Sequence, residues 1–286
     1  MPKRMLVPYL ALCLLPAAAH AEGAREPDVV RVGQQETVQK DVPFVPTREE
    51  TVKRMLGMAG VTKDDVVYDL GSGDGRIVVM AAQKMGARAV GVDIDPERIR
   101  EANDNARRAG VTSRVEFRQQ SLFDAEIKDA TVVTLYLLPS VNLKIRYKLL
   151  TELKPGTRIV SHDFDMGDWR PDRKESVGDD TVYLWIVPAS VEGTYGLTVP
   201  TARGETPATL TLRQEFQDVS GTLKLNGKSL PLAELILQGD AISFRTAEGP
   251  ELHFRGRVEG TRIHGNVMPS GGQSRAFTAT RNGSGS

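Results

Sequence analysis

The chain has 286 residues, with 37 Lys and Arg against 37 Asp and Glu, four His, one Cys and 40% hydrophobic residues. At roughly 100–200 residues per domain, this length makes two domains or one large one. A neutral total with both signs mixed along the chain argues against a nucleic-acid partner, which needs a concentrated basic surface. The apolar fraction excludes general disorder, and a single Cys excludes an internal disulfide framework or a Cys-rich zinc site.

That Cys, Cys13, lies in the first 21 residues: a basic Lys3-Arg4 start, an apolar run from Met5 to Leu15, and small residues at Ala19 and Ala21. This is the pattern of a secretory signal cleaved after Ala21, which predicts a periplasmic or secreted protein. Leu12 before Cys13 disfavours a lipoprotein. Cleavage removes the only thiol together with Lys3 and Arg4, leaving a slight acidic excess. The run is shorter than the roughly 20 apolar residues needed to span a bilayer. No second run approaches that length, so no integral span is expected after cleavage. Residues 22–42 are polar and aperiodic and read as a linker.

From residue 43 to about 188 the pattern alternates. Thr47 and Glu50 form a capping-box pattern ahead of Val52, Met55 and Leu56, predicting a helix from Thr47 to Gly60. Strands are expected at Val66–Leu70, Ala89–Asp93, Val115–Arg118, Thr131–Leu135 and Arg158–His162. Helices are expected from Gly75 to Met85, from Asp95-Pro96 to Ala109, and from Val141 to Leu153, with Pro96 at a first helical position where its missing N–H costs nothing. This βαβα rhythm predicts an α/β fold on a parallel, doubly wound sheet.

Beyond Pro188 the helical signals stop. Short alternating runs follow at Thr209–Leu212, Gly221–Leu225, Ala241–Phe244, Leu252–Phe254 and Arg262–Val267, and Asn226-Gly227 is a strong type I′ hairpin signal. Residues 189–286 therefore read as a second, small all-β domain of roughly seven or eight antiparallel strands, a barrel or meander. Its aromatics Tyr195, Phe216, Phe244, Phe254 and Phe277 are expected to fill its core, and Arg281–Ser286 to form a frayed tail. Gly193-Thr194-Tyr195 is too short to support a likeness to lipocalin-like barrels. His253 and His264 lie on strands without acidic or Cys partners at metal spacing, so no metal site is expected.

The chemistry concentrates at Asp69-Leu70-Gly71-Ser72-Gly73-Asp74-Gly75-Arg76. A glycine-rich turn between a strand and a helix lets backbone approach a ligand and points helix N–H groups at an anion. A dinucleotide fingerprint requires glycine at its sixth position, and Arg76 stands there instead. Asp93 ends the next strand, where a carboxylate can accept hydrogen bonds from ribose hydroxyls. Two carboxylates at successive strand ends suit a nucleoside with a cationic tail, and S-adenosylmethionine has that form.

The sequence resembles the class I S-adenosylmethionine-dependent methyltransferases. Pro43-Phe44-Val45-Pro46-Thr47, Asp69–Val78, Arg158–Phe164 with Trp169–Asp172, and Asp180-Thr181-Val182 narrow the likeness. They resemble the mitochondrial protein-lysine methyltransferases of ATP synthase subunit c and the adenine nucleotide translocase, with their bacterial relatives. The likeness spans about residues 43–187. It implies a Rossmann-like seven-stranded methyltransferase sheet ending in an antiparallel hairpin, with Thr181–Val187 last. It implies that Asp69, Gly71 and Gly73 line the methionine part of the cofactor, with Gly75 in the same loop, and that Asp93 takes the ribose. Ser121, where the family often has an acid, and Leu122 stand at the adenine position.

Thr134–Pro139 lacks the Asn/Asp-Pro-Pro-aromatic motif of many DNA and glutamine methyltransferases, which disfavours nucleic-acid bases. A lysine acceptor must lose a proton first, since only about one in 2,500 is neutral at pH 7. Tyr136 is the candidate hydroxyl to orient its lone pair, and His162 with Asp163 a candidate base. Trp169 and Pro171 are expected to pack a loop over the acceptor channel. The sequence thus predicts methyl transfer to a protein lysine, with a small-molecule acceptor or a non-catalytic envelope binding protein as alternatives. It leaves the oligomeric state open.

Overall fold

The computed structural model describes residues 46–201 and 204–283. The signal, the linker and Pro43-Phe44-Val45 lie outside the described residues.

The first part carries α1 (Glu49–Met58), β1 (Val66–Leu70), α2 (Arg76–Met85), β2 (Arg88–Asp93), α3 (Pro96–Ala109), β3 (Val115–Gln119), β4 (Val132–Leu135), α4 (Pro139–Glu152), β5 (Arg158–His162), β6 (Arg173–Val177) and β7 (Asp180–Ile186). The sheet order is β3-β2-β1-β4-β5-β7-β6, with β7 antiparallel to β5 and to β6. This is the doubly wound arrangement read from the sequence, and it switches direction between β1 and β4. Alternation along the buried strands assigns the faces. Val67, Val132, Val160 and Val182 pack with Val52, Met55, Leu56, Ile77 and Val78 of α1 and α2. Leu70, Val133, Leu135 and Ile159 pack with Ile145 and Leu149 of α4 on the other side. Fully burying each such side chain contributes about 1.5–3 kcal/mol.

β6 carried no hydrophobic signal because Arg173, Lys174 and Glu175 make it a charged sheet edge, a composition that discourages further strand pairing. The capping box is also corrected. Arg48, not Thr47, is the N-cap of α1 and makes no side-chain cap, because the Thr47 hydroxyl is engaged with His162. Asp95 does cap α3 by accepting from the Glu97 N–H at 2.9 Å.

The second part is a closed eight-stranded barrel of β8 (Gly193–Thr201), β9 (Gly204–Glu215), β10 (Asp218–Leu225), β11 (Lys228–Gln238), β12 (Ala241–Thr246), β13 (Leu252–Glu259), β14 (Arg262–Pro269) and β15 (Arg275–Arg281). Neighbours in sequence pair antiparallel, and β15 returns to β8 through Thr280 with Gly196 and Arg281 with Tyr195. The interior is filled: Phe254 stacks on Phe244 at 4.6 Å and meets Phe277 edge-on at 5.2 Å. Asn226 and Gly227 have φ of 51° and 79°, the two positive angles of a type I′ turn.

β11 was not legible because its alternation breaks at a bulge between Ala233 and Ile236, where Glu234 has φ of 52°. Arg281 is not frayed: it ends β15, and its guanidinium donates to the Tyr195 hydroxyl and the Ser190 carbonyl. Phe216 leaves the barrel interior as well. At the β9–β10 turn, with φ of 53°, it stacks on Trp169 at 5.8 Å and lies under the Arg146 guanidinium. Gln217 beside it donates to the Arg170 carbonyl at 2.6 Å.

Candidate functional site

The site lies at the carboxyl ends of β1, β2, β4 and β5, across the switch in strand order, where open α/β sheets bind ligands. On the cofactor side, the turn after β1 is shaped by backbone hydrogen bonds. The Gly71 and Ser72 N–H groups donate to the Val92 carbonyl at 2.8 and 2.9 Å, and Gly73 N–H donates to Asp93 Oδ2 at 2.8 Å. Asp93 Oδ1 accepts from the Asp95 N–H at 2.9 Å. Asp93 therefore holds the loop in shape, and each oxygen keeps a second lone pair for a ligand hydroxyl.

Gly71 has φ of 87°, and a Cβ there would stand 2.9 Å from Leu137 Cδ2. Gly73 has φ of 52°. Gly75 has a packing reason to be glycine, since a Cβ there would lie 2.6 Å from the Phe117 ring. Ser121 sits at the third strand end, its hydroxyl accepting from the Phe123 N–H at 3.2 Å. The Leu122 side chain is buried in the core beneath.

Asp69 is 2% exposed. Its carboxylate accepts the Thr134 hydroxyl at 2.7 Å, and among the described residues no cationic side chain pairs with it. Burial raises its pKa to about 7, with the negative charges of Asp93 and Asp74 adding to the rise and the Thr134 hydrogen bond opposing it. A buried carboxylate without a counter-charge is costly and suits a cationic ligand. The uncompensated Asp69, the glycine cradle and Asp93 together fit S-adenosylmethionine. Ser72, whose buried hydroxyl has no partner, was not singled out by sequence reasoning.

The acceptor side is assembled from residues far apart in the chain. Tyr136 follows β4 and packs its ring, tilted by 31°, against His162 at the end of β5, ring centroids 3.8 Å apart. His162 is buried, with Nδ1 3.1 Å from the Thr47 hydroxyl and Nε2 3.4 Å from both Asp163 Oδ2 and Asp180 Oδ2. Burial lowers its pKa, against the two carboxylates, which raise it. Burial raises that of Tyr136, with Asp163 and Asp180 adding to the rise. Asp163 has φ of 59° and is fixed by the Thr181 N–H donating to Oδ1 at 2.8 Å. Asp180 is gripped by Arg48 at 2.8 Å and by the Thr51 hydroxyl. Sequence reasoning missed the roles of Thr47, Arg48, Thr51 and Asp180, which come from α1, its entry and β7.

The loop after β5 is held from two sides. Asn142 Nδ2 donates to the Phe164 and Asp165 carbonyls at 3.1 and 3.2 Å, and Arg146 donates to the Met166 carbonyl at 2.7 Å. Trp169 is fully buried, its carbonyl accepting the Trp185 indole N–H at 2.8 Å. It belongs to the core, not to a cover over a channel, because its ring is sandwiched between Trp185 and Phe216.

Comparison with known proteins places the chain. The model of the ANTKMT methyltransferase domain matches residues 69–173. A protein-lysine N-methyltransferase of Saccharolobus islandicus is 49% identical over 151 residues, 51% of this chain and 94% of that protein. The chain belongs to the S-adenosylmethionine-dependent protein-lysine N-methyltransferase family. An adenine nucleotide translocase lysine N-methyltransferase of Mus musculus is 35% identical over 52% of this chain and 65% of that protein, so the match spans about two thirds of this relative's length. The solved structure of an RNA methyltransferase from Salinibacter ruber in complex with S-adenosyl-L-homocysteine is 58% identical, with a TM-score of 0.51, covering 51% of this chain and 96% of that one. As a member of this family the protein is an S-adenosylmethionine-dependent methyltransferase. Among the described residues no helix is long and apolar enough to cross a membrane.

Proposed function

We propose that this protein methylates the side-chain amine of a lysine in a protein acceptor. The observation that carries the reading is the match to the Saccharolobus islandicus protein-lysine N-methyltransferase, over 94% of that protein and 51% of this chain. It is supported by the chemistry of the acceptor side, where Asp163 and Asp180 flank His162: acidic groups favour an amine and repel a phosphate backbone. The cofactor supplies an electrophilic methyl group. When bound, it would be held by Asp69 at its cationic amine, by the Gly71–Gly75 turn at the methionine part, by Asp93 at the ribose and by Ser121 with the backbone at Leu122 at the adenine. Tyr136 and His162 orient and deprotonate the acceptor. The protein contributes mainly by positioning and by excluding water.

The Salinibacter structure motivates a second reading, RNA as acceptor. One incubation separates the two: the purified protein with methyl-labelled S-adenosylmethionine, offered protein extract and total RNA in parallel. The expected result is label recovered as methyl-lysine after acid hydrolysis. Label confined to nucleosides transfers the assignment to RNA, and label soluble in organic solvent transfers it to a small molecule. The proposal includes export, based on the pattern of residues 1–21. Fusing residues 1–42 to a reporter active only outside the cytoplasm tests it, and a silent reporter rejects it.

A further inference from the structure

We infer that Asp163, Asp180 and His162 form the subsite that binds the acceptor ammonium and takes up its proton. This rests on the lysine reading and assigns its chemistry to particular atoms. Nε2 of His162 is buried and has no hydrogen-bond partner, yet it points between two carboxylate oxygens at 3.4 Å each. The three ligand atoms lie within 4.8 Å of one another. An ammonium hydrogen-bonded to two oxygens at about 2.8 Å with tetrahedral spread separates them by roughly 4.6 Å, which the 4.8 Å bound on the cluster's spread admits.

Every member is anchored. Thr47 meets Nδ1, Thr181 N–H holds Asp163 Oδ1, Arg48 grips Asp180 Oδ1, and Asp180 Oδ2, the oxygen that faces Nε2, also accepts from Arg48 Nε and the Thr51 hydroxyl. The left-handed backbone of Asp163, φ 59°, is one that Asp and Asn adopt more readily than most residues. It leaves the carboxylate 3.4 Å from His162 Nε2. Tyr136, packed against the imidazole, forms the wall on the β4 side. Asp163 and Asp180 are each partly exposed while His162 is not, so the imidazole is reached through the carboxylates.

A proton leaves the lysine Nζ through a carboxylate oxygen to His162 Nε2. The freed lone pair forms the N–C bond as the methyl–sulfur bond breaks, its electron pair remaining on sulfur. The imidazolium then releases the proton to water by way of Asp163. The charged or titratable groups facing His162 are Arg48 from the entry to α1, Tyr136 after β4, Asp163 after β5 and Asp180 at the start of β7.

The test uses the full chain loaded with S-adenosyl-L-homocysteine and a hexalysine probe, followed by calorimetry. Asp163→Asn suits the left-handed backbone, which Asn tolerates. It is expected to weaken hexalysine binding about tenfold or more with S-adenosyl-L-homocysteine affinity unchanged. His162→Gln is expected to keep probe binding but lose turnover and the rise of kcat with pH. Asp180→Asn repeats the first result from a second element. Wild-type binding that is absent, or unchanged in Asp163→Asn, overturns the subsite. So does manganese bound by the wild type and released by His162→Gln, which makes the cluster a metal site. If hexalysine binding depends on Asp163 while no lysine becomes labelled in protein extract, the subsite stands and the lysine-transfer reading falls.

Discussion

The cofactor side and the acceptor side of this site lie on adjacent strands of one sheet but are built differently. The first is a continuous stretch, Asp69 to Arg76, completed by Asp93 on the next strand. The second draws Thr47, Arg48 and Thr51 from the entry and first turns of α1, Tyr136 from just after β4, His162 from the end of β5 with Asp163 following it, and Asp180 from β7. Their hydrogen bonds and ion pairs cross 115 residues between Thr47 and His162 and 132 between Arg48 and Asp180. A local motif imposes its geometry through its own backbone angles. A dispersed one depends on the packing of everything between its parts.

If that contrast is real, single changes on the cofactor side abolish binding outright. Asp93→Ala removes the acceptor of the Gly73 N–H and the ribose partner together, and is expected to lower S-adenosylmethionine affinity about 100-fold or more by calorimetry. Gly91→Val attacks the same side through packing. A Cβ there falls 2.6 Å from the Phe117 ring and 2.7 Å from Ser72 Oγ, so a loss of about 3 kcal/mol or more is expected in denaturant unfolding. Phe117→Ala in the same chain should recover part of it.

Asp69 gives a pH test with a definite sign. Its folded pKa, about 7, lies above its ordinary value of 3.8. Its contribution to stability is therefore fully present below the ordinary carboxylate range and is lost as pH rises through 7. Asp69→Asn is expected to raise the Tm of the ligand-free protein, with a gain growing between pH 4 and 7 to a few kcal/mol, while abolishing cofactor binding. In the wild type, S-adenosyl-L-homocysteine binding at pH 6.5 should release protons, seen as a buffer-dependent calorimetric enthalpy. The smallest effect belongs to the acceptor side's outer support. Phe216→Ala removes the stack on Trp169 and should cost about 1–2 kcal/mol of stability and raise the acceptor KM with cofactor affinity unchanged. A drop in cofactor affinity would show the two sides to be less separate than their construction implies.

The same contrast explains what was legible in the sequence. β1 and β2 were visible because buried parallel strands read as largely apolar runs, and the glycine turn because φ-positive positions constrain residue type. β6 was hidden by its edge charges and β11 by its bulge. Thr47 followed by Glu50 matched a capping box letter for letter, yet the hydroxyl is used by His162, 115 residues away, and no local pattern encodes that competition. Asp180 was visible as part of a motif but not as a partner of His162. Phe216 was assigned to the barrel interior because alternation placed it there, whereas the tight turn swings it outward onto Trp169.

The barrel's closure has one further consequence. Its seven hairpin-linked pairings run over four or more residue pairs each, but among the described residues the seam joining β15 to β8 pairs Thr280 with Gly196 and Arg281 with Tyr195 and adds the Asn282 N–H on the Thr194 carbonyl at 2.8 Å, and it is buttoned by the Arg281 guanidinium on the Tyr195 hydroxyl and the Ser190 carbonyl. Amide hydrogen exchange is governed by local opening free energy, so within the barrel the amides along this seam should exchange first. Arg281 acts as the clasp of the cylinder, setting where it unzips rather than whether it folds.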